Sequence, residues 1–180
     1  MTMNIEKELK KLKFPISALL FDWGNTIMPV FSDQFGPMAN WTKLELIHGA
    51  DQILPQLQKK YSLALLSNAD DSDNEQVKKA LMRMGVADYF SHIFTPQELI
   101  ARKPAPQFYH NALKKLGVEA EHAIMIGDDY QKDIIGAKQA GLWTIWFNQN
   151  GKTIDTKYPY HDFEIDSLLQ IPEILMEKFM

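Results

Sequence analysis

Ala18-Leu19-Leu20-Phe21-Asp22-Trp23-Gly24-Asn25-Thr26-Ile27-Met28 is a run of apolar residues closed by a carboxylate and followed at once by turn-forming residues. Consecutive apolar positions suit a strand covered on both faces, as in parallel sheets, whose ligands gather beyond the carboxyl ends of the strands. Asp22 is therefore expected at such a mouth. Gly24 eases a sharp turn there, and Asn25 and Thr26 offer short polar groups that can hold the turn or touch a ligand.

Outward from this stretch the pattern recurs. Apolar bursts at Leu63 to Leu66, Ile93 to Phe94, Ala123 to Ile126 and Trp143 to Phe147 alternate with longer segments of helical period, and Asp162 to Ile165 reads as a short sixth strand. Such βα alternation predicts an α/β fold, three layers (α/β/α, Rossmann-like) around a mostly parallel sheet of five to six strands. Ser72 and Glu75 fit a capping box for a helix running to Met84, with Gly85 beyond its end. Pro104 or Pro106 opens a helix that closes at Gly117; Gly141 ends the next, and Ser167 caps the last. Before Pro15, the spacing of Ile5, Leu9 and Leu12 predicts a short amphipathic helix over Asn4 to Lys13.

A chain of 180 residues is expected to be one domain, 1–180, large enough to bury roughly 70% of its unfolded surface. Its zero cysteines exclude disulfides, thiolate metal sites and a thiol nucleophile, and fit a cytoplasmic protein. A formal charge of -4 gives no general reason to bind nucleic acid or an anionic membrane, and no apolar stretch is long enough for a membrane span. None of the five histidines forms a pair with metal-ligand spacing.

The polar residues that follow the predicted strands converge: Asp22 after the first, Ser67 and Asn68 after the second, Asp128 and Asp129 after the fourth. Lys103, in Arg102-Lys103-Pro104, enters from the loop after the third, and Asp133 from the first turn of the helix after the acidic pair. Taken singly, Ser67 suits a turn hydroxyl, Lys103 a solvated charge, Asp133 an acid near a helix start, and Asp70, Asp71 and Asp73 likewise. Taken together the convergent carboxylates repel one another and call for a cation, and hard oxygen donors suit Mg²⁺. Lys103, Ser67 and backbone N–H groups around Gly24 and Asn25 would then cradle a phosphate, placing Asp22 to attack phosphorus and form an aspartyl phosphate that water resolves.

F-D-W-G-N-T, L-L-S-N, R-K-P and M-I-G-D-D-Y-Q-K-D, in this order, resemble the four motifs of the haloacid dehalogenase (HAD) superfamily of hydrolases, and the likeness runs from about Ile16 through the final helix. Receiver domains, the nearest mimic, place the acidic pair first and Lys-Pro last. The resemblance implies a Mg²⁺-dependent phosphomonoester hydrolase with Asp22 as nucleophile and metal ligand, assisted by Lys103. It also implies that Gly24 offers its carbonyl to the metal, that Ser67 and Lys103 bind phosphate with Asn25 and Asn68 beside them, and that Asp128 ligates Mg²⁺. Asp129 and Asp133 would support the metal or orient Lys103.

Two departures from the family pattern shape the expectation. Most family phosphatases carry a second Asp two residues after the nucleophile, a general acid worth about 10² to 10⁴ in rate, where this chain has Gly24. That keeps two alternatives open, a metal-free haloacid dehalogenase-like hydrolase and a non-catalytic phospho-ligand-binding protein. Only 44 residues lie between Asp22 and Ser67, so a short insert, 30–48, stands in place of a cap domain. An open site implies a bulky or macromolecular phosphorylated substrate, or a further subunit, such as a second copy in a homo-oligomer, acting as lid. Phe31, Phe35 and Trp41 of the insert either meet such a partner or pack beneath the flap, and Trp23 either lines the pocket or packs there too.

Overall fold

A computed structural model describes residues 15–69, 72–155 and 159–179. The helix expected over Asn4 to Lys13, and Asp70 and Asp71, lie outside them. Six strands, β1 (Ala18–Asp22), β2 (Ser62–Leu66), β3 (His92–Phe94), β4 (Ala123–Gly127), β5 (Trp143–Phe147) and β6 (Phe163–Ile165), form one sheet in the order β3-β2-β1-β4-β5-β6. Every adjacent pair is parallel. The order reverses at β1, so β1 and β4 lie side by side at the switch point, where open α/β sheets bind ligands.

Alternation along each strand makes the layers. Leu19, Phe21, Leu63, Leu65, Ile124 and Ile126 face one side, where α1 (Ala50–Leu57), α2 (Asn74–Arg83) and α5 (Ile171–Phe179) cover them. Ala18, Leu20, Ala64, Leu66 and Met125 face the other, under Phe108, Tyr109 and Ala112 of α3 (Pro106–Leu116) and Ala137 of α4 (Gly136–Gln139). This is the expected α/β/α sandwich.

The capping box of α2 falls one residue later than Ser72 and Glu75. Asp73 Oδ1 accepts from Gln76 N at 2.9 Å, and Gln76 Oε1 accepts from Asp73 N at 3.0 Å. An acid and a glutamine reproduce the reciprocal bonds of Ser and Glu, so the local pattern fits both registers. The one adopted directs Val77, Ala80 and Leu81 into the core. Helix α3 starts at Pro106 and closes on a left-handed Gly117. Ser167 accepts from Leu169 N at the head of a 3₁₀ turn, Leu168–Gln170, that leads into α5.

The insert, 30–48, contains one short 3₁₀ turn, Met38–Asn40, lashed to α2 by Arg83, whose Nη1 donates to Ala39 O at 2.8 Å and Trp41 O at 2.7 Å. Trp41 is buried against the core, with Phe31 packed beside it. Phe35, by contrast, is 86% exposed. Among the described residues no helix is long and apolar enough to cross a membrane.

Candidate active site

Strand β1 delivers Asp22 to the carboxyl edge of the sheet, and the chain then folds back in a tight flap. Ile27 N and Met28 N both donate to Trp23 O, and Asn25 N donates to Met28 O at 2.6 Å. Asn25 takes a left-handed φ of 58°, a conformation that asparagine tolerates better than most residues, and its Oδ1 accepts from Val30 N at 3.0 Å. The Asn25 N–H and side-chain oxygen are therefore engaged within the flap, while the residue still lines the cavity at the mouth.

Lys103 is 3% exposed and uses all three ammonium donors: Asp22 Oδ1 at 2.5 Å, Asp133 Oδ1 at 2.7 Å and Leu66 O at 3.0 Å. Burial opposes its charge, but Asp133 and Asp22 outweigh that and hold its pKa above the ordinary lysine value. It is a fixed cation beneath the mouth rather than a lysine reaching out to phosphate. Asn68 holds it there, since Asn68 Nδ2 donates to Lys103 O at 2.8 Å and Asn68 Oδ1 accepts from Lys103 N at 3.0 Å. That pairing replaces the phosphate contact expected of the Asn68 side chain. Ser67 follows β2, is buried, and accepts from Ala69 N at 3.0 Å, which leaves its hydroxyl hydrogen to donate into the cavity.

Asp133 sits on a widened π turn, Tyr130–Ile135, that carries its carboxylate back under β4. Its Oδ2 accepts from Asp129 N at 3.0 Å, and a Cβ on Gly127 would stand 2.3 Å from that oxygen, so only glycine fits there. Gly136 plays a matching part. A Cβ on it would meet Pro104 O at 2.6 Å, so glycine lets the helix press on the loop that carries Lys103.

Asp129 caps this turn, its Oδ1 accepting from Gln131 N and Lys132 N, and its Oδ2 pairs with Lys132 Nζ at 2.9 Å. Burial pushes its pKa up, but those Lys132 and Gln131 contacts hold it below the usual value. Its carboxylate thus serves the helix start, away from the metal role expected of it. Asp128 points to the mouth, with Lys152 Nζ 3.9 Å from its Oδ2. Burial, and then the Asp22 charge, push the Asp128 carboxyl up to about 6, against the pull of Lys152. Burial and Asp22 likewise raise Asp133, against Lys103.

Carboxylate oxygens of Asp22, Asp128 and Asp133 lie within 4.8 Å of one another. Three carboxylates against the single buried ammonium leave two negative charges, and two of the acids are pushed toward the protonated form. A divalent cation with hard oxygen preference fits both the charge and the donor set. Asp22 and Asp128 are its most open donors, with Asp133 behind them.

Two further residues shape the site. Thr26, fully buried, donates to Asp22 Oδ2 at 3.1 Å, so both Asp22 carboxylate oxygens are oriented. Tyr109 of α3 donates to Lys132 O at 2.5 Å, bracing the π turn from below. Thr26 is one of the short polar groups that the sequence offers beside Asp22, whereas nothing in the sequence marks Tyr109. The cavity above Asp22 has a volume of about 290 Å³ and is lined also by Trp23, Gly24, Val30, Met38 and Lys132. Trp23 answers both expectations: its body is buried in the core while one edge lines the cavity.

With this geometry established, comparisons with known proteins identify the family. The family described as haloacid dehalogenase-like hydrolase matches residues 16–147. The chain is 34% identical over 139 residues to the glyceraldehyde 3-phosphate phosphatase of Pyrococcus furiosus, covering 75% of this chain and 56% of that protein. It is 30% identical over 138 residues to the N-acylneuraminate-9-phosphatase of Mus musculus, covering 74% and 54%. It thus spans about half the length of these curated relatives. Among solved structures, an uncharacterized protein of Listeria monocytogenes serotype 4b superposes with a TM-score of 0.79 at 26% identity, over 89% of this chain and 97% of that one. A HAD phosphatase of Thermococcus onnurineus shares the fold with a TM-score of 0.73 at 22% identity, over 92% and 100%. The chain belongs to the haloacid dehalogenase-like hydrolases.

Proposed function

We propose that this protein is a phosphomonoester hydrolase that works through an aspartyl phosphate on Asp22 and depends on Mg²⁺. The observation that carries the reading is the Asp22 carboxylate, held at the switch point by Lys103 on one oxygen and Thr26 on the other, facing a cavity it shares with Asp128. Relatives named as phosphatases, each sharing about a third of its residues over the aligned stretch, support the same chemistry.

In the first step an Asp22 oxygen attacks phosphorus, the bond to the leaving oxygen breaks, and that oxygen takes a proton from water at the open mouth. In the second, water attacks phosphorus, phosphate departs and the carboxylate is restored. Mg²⁺, bound by Asp22 and Asp128 with Asp133 behind them and the Gly24 carbonyl beside them, would polarise the phosphoryl oxygens. Ser67 would donate to one of these oxygens, and Lys103 would supply fixed positive charge below. Gly24 leaves no carboxylic acid to protonate the leaving oxygen, which favours substrates with good leaving groups. The insert 30–48 would stand in for a cap within one domain, leaving the mouth open to a large phosphorylated substrate or to a second subunit. We place the protein in the cytoplasm.

Metal-free haloacid hydrolysis would leave the Asp128 carboxylate at the mouth without a cation to bind. The test is p-nitrophenyl phosphate turnover by wild type and Asp22→Asn, with Mg²⁺ and with EDTA. Turnover that needs both Asp22 and Mg²⁺ is expected; equal rates in wild type and Asp22→Asn would overturn the reading.

A further inference from the structure

A second cavity adjoins the first. It has a volume of about 230 Å³, shares Asn25 and Asp128 with the cavity above Asp22, and is walled by Asn148, Gln149, Asn150 and Lys152 of the loop after β5. Asp128 is thus the partition between the two spaces, and a molecule with phosphate over Asp22 has room to extend past it.

The loop that walls this space is built, not slack. Asn148 is 6% exposed, and its side chain holds both main-chain groups of Lys152: Asn148 Oδ1 accepts from Lys152 N at 2.8 Å, and Asn148 Nδ2 donates to Lys152 O at 2.9 Å. The same Nδ2 donates to Glu164 Oε1 at 2.6 Å, and Asn148 N donates to Ile165 O at 2.7 Å, tying the loop to β6. Lys152 is consequently fixed at its backbone while its side chain remains half-exposed. Its ammonium stands 3.9 Å from Asp128 Oδ2, too far for a hydrogen bond. Lys132, on the other rim, is already closely paired with Asp129.

We propose that Lys152 and this loop form a subsite for a second anionic group, a carboxylate or a phosphate, on the leaving-group side of the substrate. The inference rests on the phosphatase reading of Asp22. When Asp128 serves a cation, its charge no longer answers Lys152, and the ammonium is left facing a polar cavity. Gln149 and Asn150 add amide donors around it. An anion there completes a charge-assisted contact and orients the ester over Asp22.

The matched probes are 3-phosphoglycerate and glycerol 3-phosphate, both primary phosphate esters, which differ in a carboxylate against a hydroxymethyl group. Wild type is expected to favour 3-phosphoglycerate by about tenfold in kcat/KM, the usual size of one charged hydrogen bond. Lys152→Met should bring the ratio near one, and Lys152→Arg should retain most of it. The same ratio is read as binding, by calorimetry with Mg²⁺ on Asp22→Asn, so the subsite is judged even if nothing is turned over. Equal preference in wild type, or a ratio unmoved by Lys152→Met, overturns the subsite. Absence of Asp22-dependent p-nitrophenyl phosphate turnover instead overturns the phosphatase reading, leaving the binding ratio to decide the subsite.

Discussion

Lys103 Nζ lies 2.5 Å from Asp22 Oδ1, a buried ion pair that joins the end of β1 to the loop carrying Lys103 beyond β3. The same ammonium meets Asp133 Oδ1 at 2.7 Å, so one cation answers two buried acids. Removing one partner of such a pair leaves uncompensated charge, at about 3–5 kcal/mol. Lys103→Met is therefore expected to lower unfolding free energy by about that amount and abolish turnover. Urea denaturation at neutral pH checks it; a loss below about 1 kcal/mol, the range of an exposed pair, would contradict the structure.

Thr26 orients the other Asp22 oxygen. Thr26→Val keeps the shape but removes the donor, and should lower kcat about tenfold with a stability loss of about 1–3 kcal/mol, while Thr26→Ser keeps both near wild type. Steady-state kinetics on the three proteins separates the hydroxyl from the methyl.

Gly127→Ala tests the packing that seats Asp133. Its methyl would arrive 2.3 Å from Asp133 Oδ2, so the carboxylate must move and release Lys103 and Asp129 N. A stability loss of about 1–3 kcal/mol is expected, together with weaker Mg²⁺ binding measured by calorimetry. Gly136→Ala, which meets Pro104 backbone at 2.6 Å, should disturb the Lys103 loop from the opposite side.

Proton and cation compete at Asp128. Its folded pKa, about 6, exceeds the ordinary aspartate value, so its contribution to stability is full below pH 4 or so and is lost as pH rises through about 6. Asp133, raised by burial, acts in the same direction. Metal-free protein should thus lose stability between about pH 4 and 7 from these groups. Mg²⁺ binds the ionised forms, so the rise in Tm on adding Mg²⁺ should be larger at pH 7.5 than at pH 5 and vanish with EDTA. Melting curves at the two pH values, with a rise no larger at pH 7.5, would contradict this.

Gly24 can be asked to carry the missing acid. A Cβ there would stand 2.8 Å from Val30 Cγ2, and Val30 is half-exposed, so Gly24→Asp needs Val30→Ala beside it. General acids contribute roughly 10²–10⁴ in rate. The double variant is expected to hydrolyse glycerol 3-phosphate at least about tenfold faster while changing p-nitrophenyl phosphate turnover little, because only the alkoxide needs the proton. Parallel rate measurements on the two esters provide the check.

The sequence by itself determined the βα alternation, the three layers, the strand-end positions of Asp22, Ser67 and Asp128 and the place of Lys103 in the connection after β3, because burial on both faces writes continuous apolar strands and the chain must turn where they stop. It also placed glycines at helix ends such as Gly117, where a left-handed residue closes the turn. Only the tertiary structure decided which polar atoms each residue engages. Asn25 and Asn68 belong to the right neighbourhood, yet the Val30 N–H takes the Asn25 side-chain oxygen and main-chain groups of Lys103 take both ends of the Asn68 amide. Asp129 is drawn off by Lys132 and two N–H groups, while Asp133, seated on a π turn, closes on Lys103. Gly127 and Gly136 read as ordinary glycines until the carboxylate and the backbone that press on them are known. Hydrogen bonds of this kind depend on distances of a few tenths of an ångström between segments far apart in the chain, and residue type and spacing carry no record of those.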